Sequence, residues 1–308
     1  MPKQKLKTLT IAIPAHNESA NIRQVLRSIA KQKTNTFILR SIIVACDGCT
    51  DDTAAKARAF KRKLPQLKVL DDGKRLGKAG RLNQFLKLAS SDFLFLLDAD
   101  LLLGTSTELE KLLAPFSNPA VELVGARFQP VAQKNIFGKA SVISFSAFMD
   151  AALRWNNGCN FYTLVGGAQV LRKSLAKNLY YPQGLISDQS FLFAFATQRG
   201  LHTYEVAHAS TILTRTVNTF HDWRLLGTRS IGKNKSDAVQ YFGSEILADY
   251  TIPKKLLLQS ILDWMIREPI ATIAAIALNI FIRVLPMQVA MQNGVWEHTE
   301  SSKEAITN

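Results

Sequence analysis

Short apolar runs alternate with amphipathic stretches along the first hundred residues. Residues 9–13 are mostly apolar and run into Pro14, which reads as a buried strand closed by the proline. Over residues 20–31, Ile22, Val25, Leu26 and Ile29 recur at helical spacing, with Asn17 or Ser19 placed to cap the helix. Residues 37–45 form a second apolar run ending at Cys46-Asp47-Gly48, and Thr50-Asp51-Asp52 opens a helix to about Arg62. A short strand over 67–70 leads through Asp71-Asp72-Gly73 into a Gly-containing turn and a helix reaching Leu88. Residues 93–97 are a continuous apolar strand, with Asp98-Ala99-Asp100 at its end.

Strands and helices in strict alternation predict βαβ units, and so an α/β fold built on a mostly parallel sheet flanked by helices. In such sheets ligands bind beyond the carboxyl ends of the strands. His16, Asp47, Arg75, Lys78, Asp98 and Asp100 all fall at that edge. Further on, the pattern predicts a strand over 121–128, a helix over 136–155, a short strand to Leu171, an aromatic-rich helix opened by Ser187-Asp188, and a last strand over 202–206. From residue 216 the pattern is helical, which divides the chain into a catalytic part, 1–215, and a helical C-terminal region, 216–308. The tail from Glu297 is polar.

At 308 residues and 47% hydrophobic, the chain can bury a sizeable core. The net charge of +14 suits nucleic acid, anionic lipid or a phosphorylated substrate. Basic residues crowd between Lys56 and Arg81, without finger spacing, ribonucleoprotein aromatics or a basic region leading into heptads, so nucleic acid is not an expected partner. The first five of them read as a solvated helix face; Lys74, Arg75 and Lys78 lie in the Gly-containing loop, where phosphate neutralisation is expected. Cys46 and Cys49 make a single C-x-x-C with no second pair, a poor basis for a zinc or redox site, and three cysteines in all suit a reducing compartment. No signal peptide follows the basic N-terminus, so the catalytic part is expected in the cytosol.

Residues 270–282 are apolar apart from Thr272 and Asn279, but thirteen residues fall short of the ~20 that span a bilayer. A helix lying at the cytoplasmic membrane surface, peripheral or monotopic, or a re-entrant one, is expected there; a buried core helix stands as the alternative.

Asp98 and Asp100 lie two positions apart on an extended segment and so point to one side. One can face a divalent cation and the other a ribose or a bridging water. Hard oxygen ligands suit Mg2+ or Mn2+, which take one or two carboxylates and fill their shells with phosphate oxygens and water. A departing diphosphate needs such a charge. Asp47, after the second strand, can accept hydrogen bonds from a nucleobase imide or a ribose hydroxyl. Gly77 and Gly80 let the backbone approach closely. Asp188 is the candidate general base for an acceptor hydroxyl; an ordinary N-cap aspartate is its competing reading.

These residues together resemble the family-2 glycosyltransferases of the GT-A fold. Ile13-Pro14-Ala15-His16-Asn17-Glu18 resembles the family's I-P-x-Y-N-E, with His16 in place of tyrosine, and places Pro14, His16 and Glu18 in the nucleotide site. Asp47-Gly48-Cys49-Thr50-Asp51 resembles D-G-S-T-D, and residues 77–83 resemble G-K-x-x-A-L-N. Asp98-Ala99-Asp100 matches D-x-D, residues 166–173 resemble G-G-x-x-x-x-R-R, and Ser187-Asp188 stands where the family has an acid before the base.

The resemblance covers about residues 9–235. It implies a nucleotide-sugar donor, often UDP-linked, and inversion at the anomeric carbon. By motif position it puts Asp47 on the base, Asp98 on the ribose or diphosphate, Asp100 on the metal and Asp188 in the role of catalytic base. The Q-x-x-R-W of processive synthases is missing. The nearest segment offers only Arg229, with His221 and Trp223 as further candidates to line the acceptor or diphosphate site. Transfer of one sugar at a time to a lipid-linked or glycan acceptor beside a membrane is therefore expected. The rival readings are a polyprenyl-phosphate sugar synthase and a non-catalytic membrane- or nucleic-acid-binding protein.

Overall fold

Every residue of Phe93–Leu97 is buried, as a strand flanked on both faces by helices requires. In this computed structural model, residues 6–164, 167–185, 187–198, 204–232, 236–284, 291–292, 295–296 and 306 are described. Eight strands form one sheet: β1 (Lys7–Ala15), β2 (Phe37–Cys46), β3 (Leu67–Leu70), β4 (Phe93–Leu97), β5 (Leu102–Leu103), β6 (Leu123–Pro130), β7 (Ala168–Arg172) and β8 (Tyr204–Thr214), in the order β3-β2-β1-β4-β7-β6-β8-β5. The pairs β3/β2, β2/β1, β1/β4 and β6/β8 are parallel; β4/β7, β7/β6 and β5/β8 are antiparallel.

The helices are α1 (Ile22–Ala30), α2 (Thr53–Arg58), α3 (Gly77–Leu88), α4 (Glu108–Leu113), α5 (Ile136–Arg154), α6 (Phe161–Leu164), α7 (Lys173–Asn178), α8 (Asp188–Gln198), α9 (Phe220–Gly232), α10 (Ser236–Phe242), α11 (Lys254–Arg267) and α12 (Pro269–Val284). One core cluster packs Ile11, Ile13, Val44 and Phe95 against Ile22 and Leu26 of α1. A second packs Ile43, Leu94 and Leu96 against Leu82 and Phe85 of α3 and the phenylalanines of α8. The sheet is thus covered on both faces, which leaves its carboxyl edge as the open side. The apolar face of α1 at i, i+3, i+4 and i+7 is what fixes its docking: Ile22, Val25, Leu26 and Ile29 are all buried.

Several boundaries differ from the sequence pattern. Pro14 does not end β1, which pairs with β2 as far as Ala15. The N-cap of α1 is Asn21, while the Glu18 carbonyl accepts from the Asn21 and Ile22 N–H groups. Asn17, at φ +53°, uses its Oδ1 to accept from the Thr50 N–H at 2.9 Å, so it fastens the 47–52 loop and caps no helix. The α2 helix stops at Arg58 and continues as turns to Leu64, immediately before Pro65. The last strand, β8, runs to Thr214, well past the 202–206 segment that announced it.

Carboxylates fasten the sheet at its other end and in the loops. Asp92 accepts from the Thr8 N–H and hydroxyl, both at 2.9 Å, joining the starts of β1 and β4. Burial opposes its ionised form, but these donors outweigh burial and hold its pKa low. Asp51 behaves likewise: burial works against it and hydrogen bonds from Thr53 and Ser19 prevail. Asp72 drops to about 2 through its hydrogen bond from Arg81 and the Lys74 N–H.

A depressed carboxylate pKa stabilises the fold above the unfolded value near 4, and that contribution vanishes as pH falls through the folded value. Asp72→Asn is therefore expected to lower stability near neutral pH and to change it little at about pH 2. Urea melts at the two pH values check this; equal losses at both contradict it.

Candidate active site

The sheet's open edge gathers the loops after β1, β2, β3 and β4. Asp47 is buried at the tip of β2. Its Oδ1 accepts from the Leu76 N–H at 2.7 Å and from Arg81 Nε at 3.2 Å, and its Oδ2 accepts from the Gly77 N–H at 3.1 Å. Arg75 lies 3.3 Å from the same carboxylate and donates to the Asp47 carbonyl at 3.0 Å. His16 donates from Nδ1 to that carbonyl at 2.9 Å, since a carbonyl can only accept. The chain turns at Gly48, φ +62°, and a Cβ there would press on the Arg75 Cβ at 3.2 Å, so glycine lets the 74–77 turn lie close.

Arg81 holds this turn from beneath. Its side chain has 0% exposure and donates to Asp47, Asp72, Gln84 and the carbonyls of Cys46 and Lys74. Burial opposes its charge, and hydrogen bonds to Asp72 and Asp47 more than compensate, raising its pKa. In the sequence Arg81 is merely one of a crowd of basic residues. Its only distinguishing signal is its place beside Leu82 and Phe85 on the inward face of a helix that follows Asp47, Asp71 and Asp72. Arg81→Leu would strand two carboxylates and two carbonyls, at a cost of about 3–5 kcal/mol. Arg81→Lys, lacking the fork, should recover only part of this. Urea denaturation reads both; a loss under about 1 kcal/mol for the leucine variant contradicts the assigned anchoring role.

Lys78, one residue into α3, reaches across the edge. Its Nζ lies 3.0 Å from Asp98 Oδ2 and 3.3 Å from Asp188 Oδ2. Burial disfavours the ammonium, but the two aspartates outweigh burial and raise its pKa. The strand-end acid and the helix-start acid therefore share one cation. Asp188 is not the N-cap of α8. Ser187 takes that role, its hydroxyl accepting from the Ser190 N–H at 3.2 Å and its carbonyl from the Phe191 N–H. The Ser187 N–H donates to Asp237 of α10 at 2.6 Å, and Asn83 of α3 clips Tyr181 with a pair of hydrogen bonds. The segment leading into Asp188 is thus fixed from two sides, with its carboxylate free of capping duty.

Asp98 is pinned by the β7 side of the sheet. Its N–H donates to the Gly167 carbonyl at 2.7 Å, and a Cβ on Gly167, at φ +75°, would collide with the Asp98 carboxylate. Gly167 is the described half of the Gly166-Gly167 pair; Gly166 lies outside the described residues. Asp98 is raised by burial, opposed by Lys78 and reinforced by Asp188. Asp100 is pushed up to about 7 by burial and by the Asp98 and Glu18 carboxylates. Glu18 itself accepts from Asn21 Nδ2 at 3.0 Å. Pro14, near the end of β1 and two residues before His16, is half-buried at the same edge.

Asp98 and Asp100 thus form an acidic pair that needs positive charge, which suits a hard divalent cation. Among the described residues no group of three His, Cys, Asp or Glu side chains is placed to hold a metal by itself. A cation here would complete its shell with phosphate oxygens and water, as Mg2+ and Mn2+ commonly do.

Other residues singled out in the sequence fall elsewhere. Arg172 lies at the opposite end of the sheet, over the Phe93 and Phe116 rings, and donates to the Val121, Phe116 and Asn118 carbonyls. Trp223 is buried with Ala140, Ile143 and Ala271, so it packs a core and does not line the open edge. His221 is exposed, and the side chain of Arg229 lies outside the described residues, as do His202 and Glu297. Cys46 is buried and its thiol is pushed up to about 12 by burial and by Cys49. Cys49 donates to the Ala15 carbonyl at 3.3 Å, so the pair packs the loop.

Comparison with known proteins converges on one family. Residues 10–179 match the model of glycosyl transferase family 2. A poly-beta-1,6-N-acetyl-D-glucosamine synthase of Staphylococcus epidermidis is 23% identical over 207 residues, 67% of this chain and 48% of that protein. A 4,4'-diaponeurosporenoate glycosyltransferase of Staphylococcus aureus is 34% identical over 107 residues, 35% of this chain and 28% of that protein. The chain therefore spans about half the length of the first relative and less of the second. The structure of a mannosyltransferase from Pyrobaculum calidifontis, in complex with GDP-Man and Mn2+, superposes with a TM-score of 0.56 at 18% identity. It covers 90% of this chain and 88% of its own, and so shares the GT-A fold. From motifs, fold and family model alike, the chain belongs to glycosyl transferase family 2.

Proposed function

We propose that this chain moves a single sugar, with inversion, from a nucleotide-sugar donor to an acceptor at the cytoplasmic face of a membrane. Residues 1–215 form the catalytic part in this reading and 216–308 a helical membrane-proximal region. The observation that carries it is the Lys78 bridge, which sets the strand-end acid Asp98 and the helix-start acid Asp188 within reach of one ammonium. Donor diphosphate and acceptor hydroxyl must meet at that separation.

The nucleoside lies beyond β1 and β2, beside Pro14 and His16, on the turn that Asp47, Arg75 and Arg81 hold closed. Asp47 spends its own oxygens on that turn, so it serves the nucleoside by shaping the pocket. Asp98 and Asp100 would hold a Mg2+ or Mn2+ ion, with Glu18 adding to the field. When bound, the ion supplies charge that stabilises the departing diphosphate. Lys78 and Arg75 neutralise phosphate oxygens alongside it. Asp188 takes the proton of the acceptor hydroxyl as its oxygen attacks the anomeric carbon from the face opposite the diphosphate. The bonding electrons of the breaking C–O bond leave with the diphosphate, and the single attack from the opposite face inverts the anomeric carbon.

A UDP-linked donor is the first choice, by resemblance; the mannosyltransferase that shares the fold was solved with GDP-Man, so both nucleotides belong in the test. Incubation with UDP- and GDP-sugars, a lipid-linked acceptor and Mn2+, followed by mass spectrometry, should give products one sugar heavier. A ladder of products would contradict single transfer, in line with the polymer synthase named among the relatives.

A further inference from the structure

The helix α12 is built inside-out for a protein surrounded by water. Its small and polar residues face the protein: Ala271 and Ala275 pack against Ala140 and Ile143 of α5, and Asn279 donates to Ser144 of α5 at 2.7 Å. Its Thr272 hydroxyl donates to the Glu268 and Trp264 carbonyls. Ile282 is buried beside them, but most of the bulky residues face outward, with Ile270 77%, Ile273 58%, Ile280 58% and Val284 77% exposed. These positions fall at i, i+3, i+10 and i+14, a single stripe, and Ala277 fills the i+7 position. The preceding helix α11 adds Leu258, Leu262 and Ile266, one turn apart, with Ile266 83% exposed. Helix contacts through small and polar residues with large aliphatics outside are the pattern of helices that face lipid.

The charges around this face are basic in excess, with one exposed acid, Glu268, at the junction of α11 and α12. Lys254 and Lys255 open α11, Arg267 closes it, and Arg283 closes α12. Asp263, the acid within α11, is paired with Arg154 at 2.6 Å. The described residues of neither helix reach across a bilayer: the sixteen of α12 rise about 24 Å against a hydrocarbon core of about 30 Å. The stretch Ile136–Gly158, built on α5, is long and apolar enough to cross, with 23 residues, but α11 and α12 both pack along α5.

We infer that α11 and α12 form a monotopic docking face that lies in the interface of an anionic lipid bilayer, aliphatic stripes in the acyl boundary and lysines and arginines among the headgroups. The inference rests on the membrane-proximal reading above and names its surface and its lipid class. It also gives α5 the role of a platform between the sheet and the bilayer.

Co-sedimentation with phosphatidylcholine vesicles, alone and mixed with phosphatidylglycerol, tests it, alongside sedimentation velocity without lipid. The full chain is expected to sediment with the mixed vesicles and to bind neutral ones at least about tenfold more weakly. The double variant Ile273→Glu/Ile280→Glu should lose about tenfold or more in vesicle binding, with an unchanged thermal melt and unchanged UDP binding in Mn2+. Vesicle binding equal in chain and variant overturns the inference. So does a lipid-free dimer that the variant dissociates without any vesicle binding, because a second copy would then cover the face. Vesicle binding by a chain that fails to bind nucleotide leaves the docking face standing and overturns only the catalytic reading.

Discussion

Asp188→Asn should lower sugar transfer by about 10²–10⁴-fold, the usual contribution of a positioned general base. The substitution keeps the shape and removes the proton acceptor. The α8 start should survive, because Ser187 caps it and Asp237 holds the Ser187 N–H. Lys78 keeps Asp98 as its partner, so nucleotide binding should change by no more than a few-fold. The measurement is kcat with saturating donor and acceptor, beside the melting temperature and nucleotide affinity. Transfer within a few-fold of the parent would remove Asp188 from the mechanism. If that activity required a lipid phosphate acceptor, whose oxygen carries no proton to remove, a polyprenyl-phosphate sugar synthase would be the better reading.

Asp100→Asn should be nearly as severe by a different route, with turnover falling about 10²–10³-fold. Here the loss is in charge at the diphosphate end. Burial, Asp98 and Glu18 push the Asp100 carboxyl up to about 7, as crowded like charges do. Removing one of them should leave the fold intact or slightly steadier in chelator, because a like-charge repulsion is relieved. Mn2+ should then stimulate turnover far less than it does in the parent. A variant that keeps full Mn2+-stimulated activity would exclude Asp100 as a ligand. Together the two substitutions separate the ends of the site: one spares nucleotide binding, the other does not.

The edge of the sheet is legible because its strands obey simple patterns. The continuous apolar run of β4 and the helical spacing of Ile22, Val25, Leu26 and Ile29 admit few other folds. Once the strands are parallel, their ends must converge, so His16, Asp47, Asp98 and Asp100 come together whatever the loop details. The finer contacts depend on packing that no local pattern carries. Arg81 reads as surface charge until the loop it holds is in place. The register of β8 shifts between Ala126 and Phe128 of its partner, and its burial alternation breaks at Ala207, so its full length is hidden from a local pattern. Asp188 could be a cap or a base by position alone, and only the Ser187 hydroxyl separates the two. The apolar character of residues 270–282 is plain, but which side faces outward depends on where α5 lies.

The central claim is that a nucleoside diphosphate binds at this edge through a cation held by Asp98 and Asp100. Calorimetric titration of UDP and GDP into the chain, with Mn2+ and then with a chelator, tests it most directly. Binding of at least one nucleotide in Mn2+, lost on chelation and lost again in Asp100→Asn, is the predicted result. Binding indifferent to the metal, or no binding of either nucleotide, would contradict it.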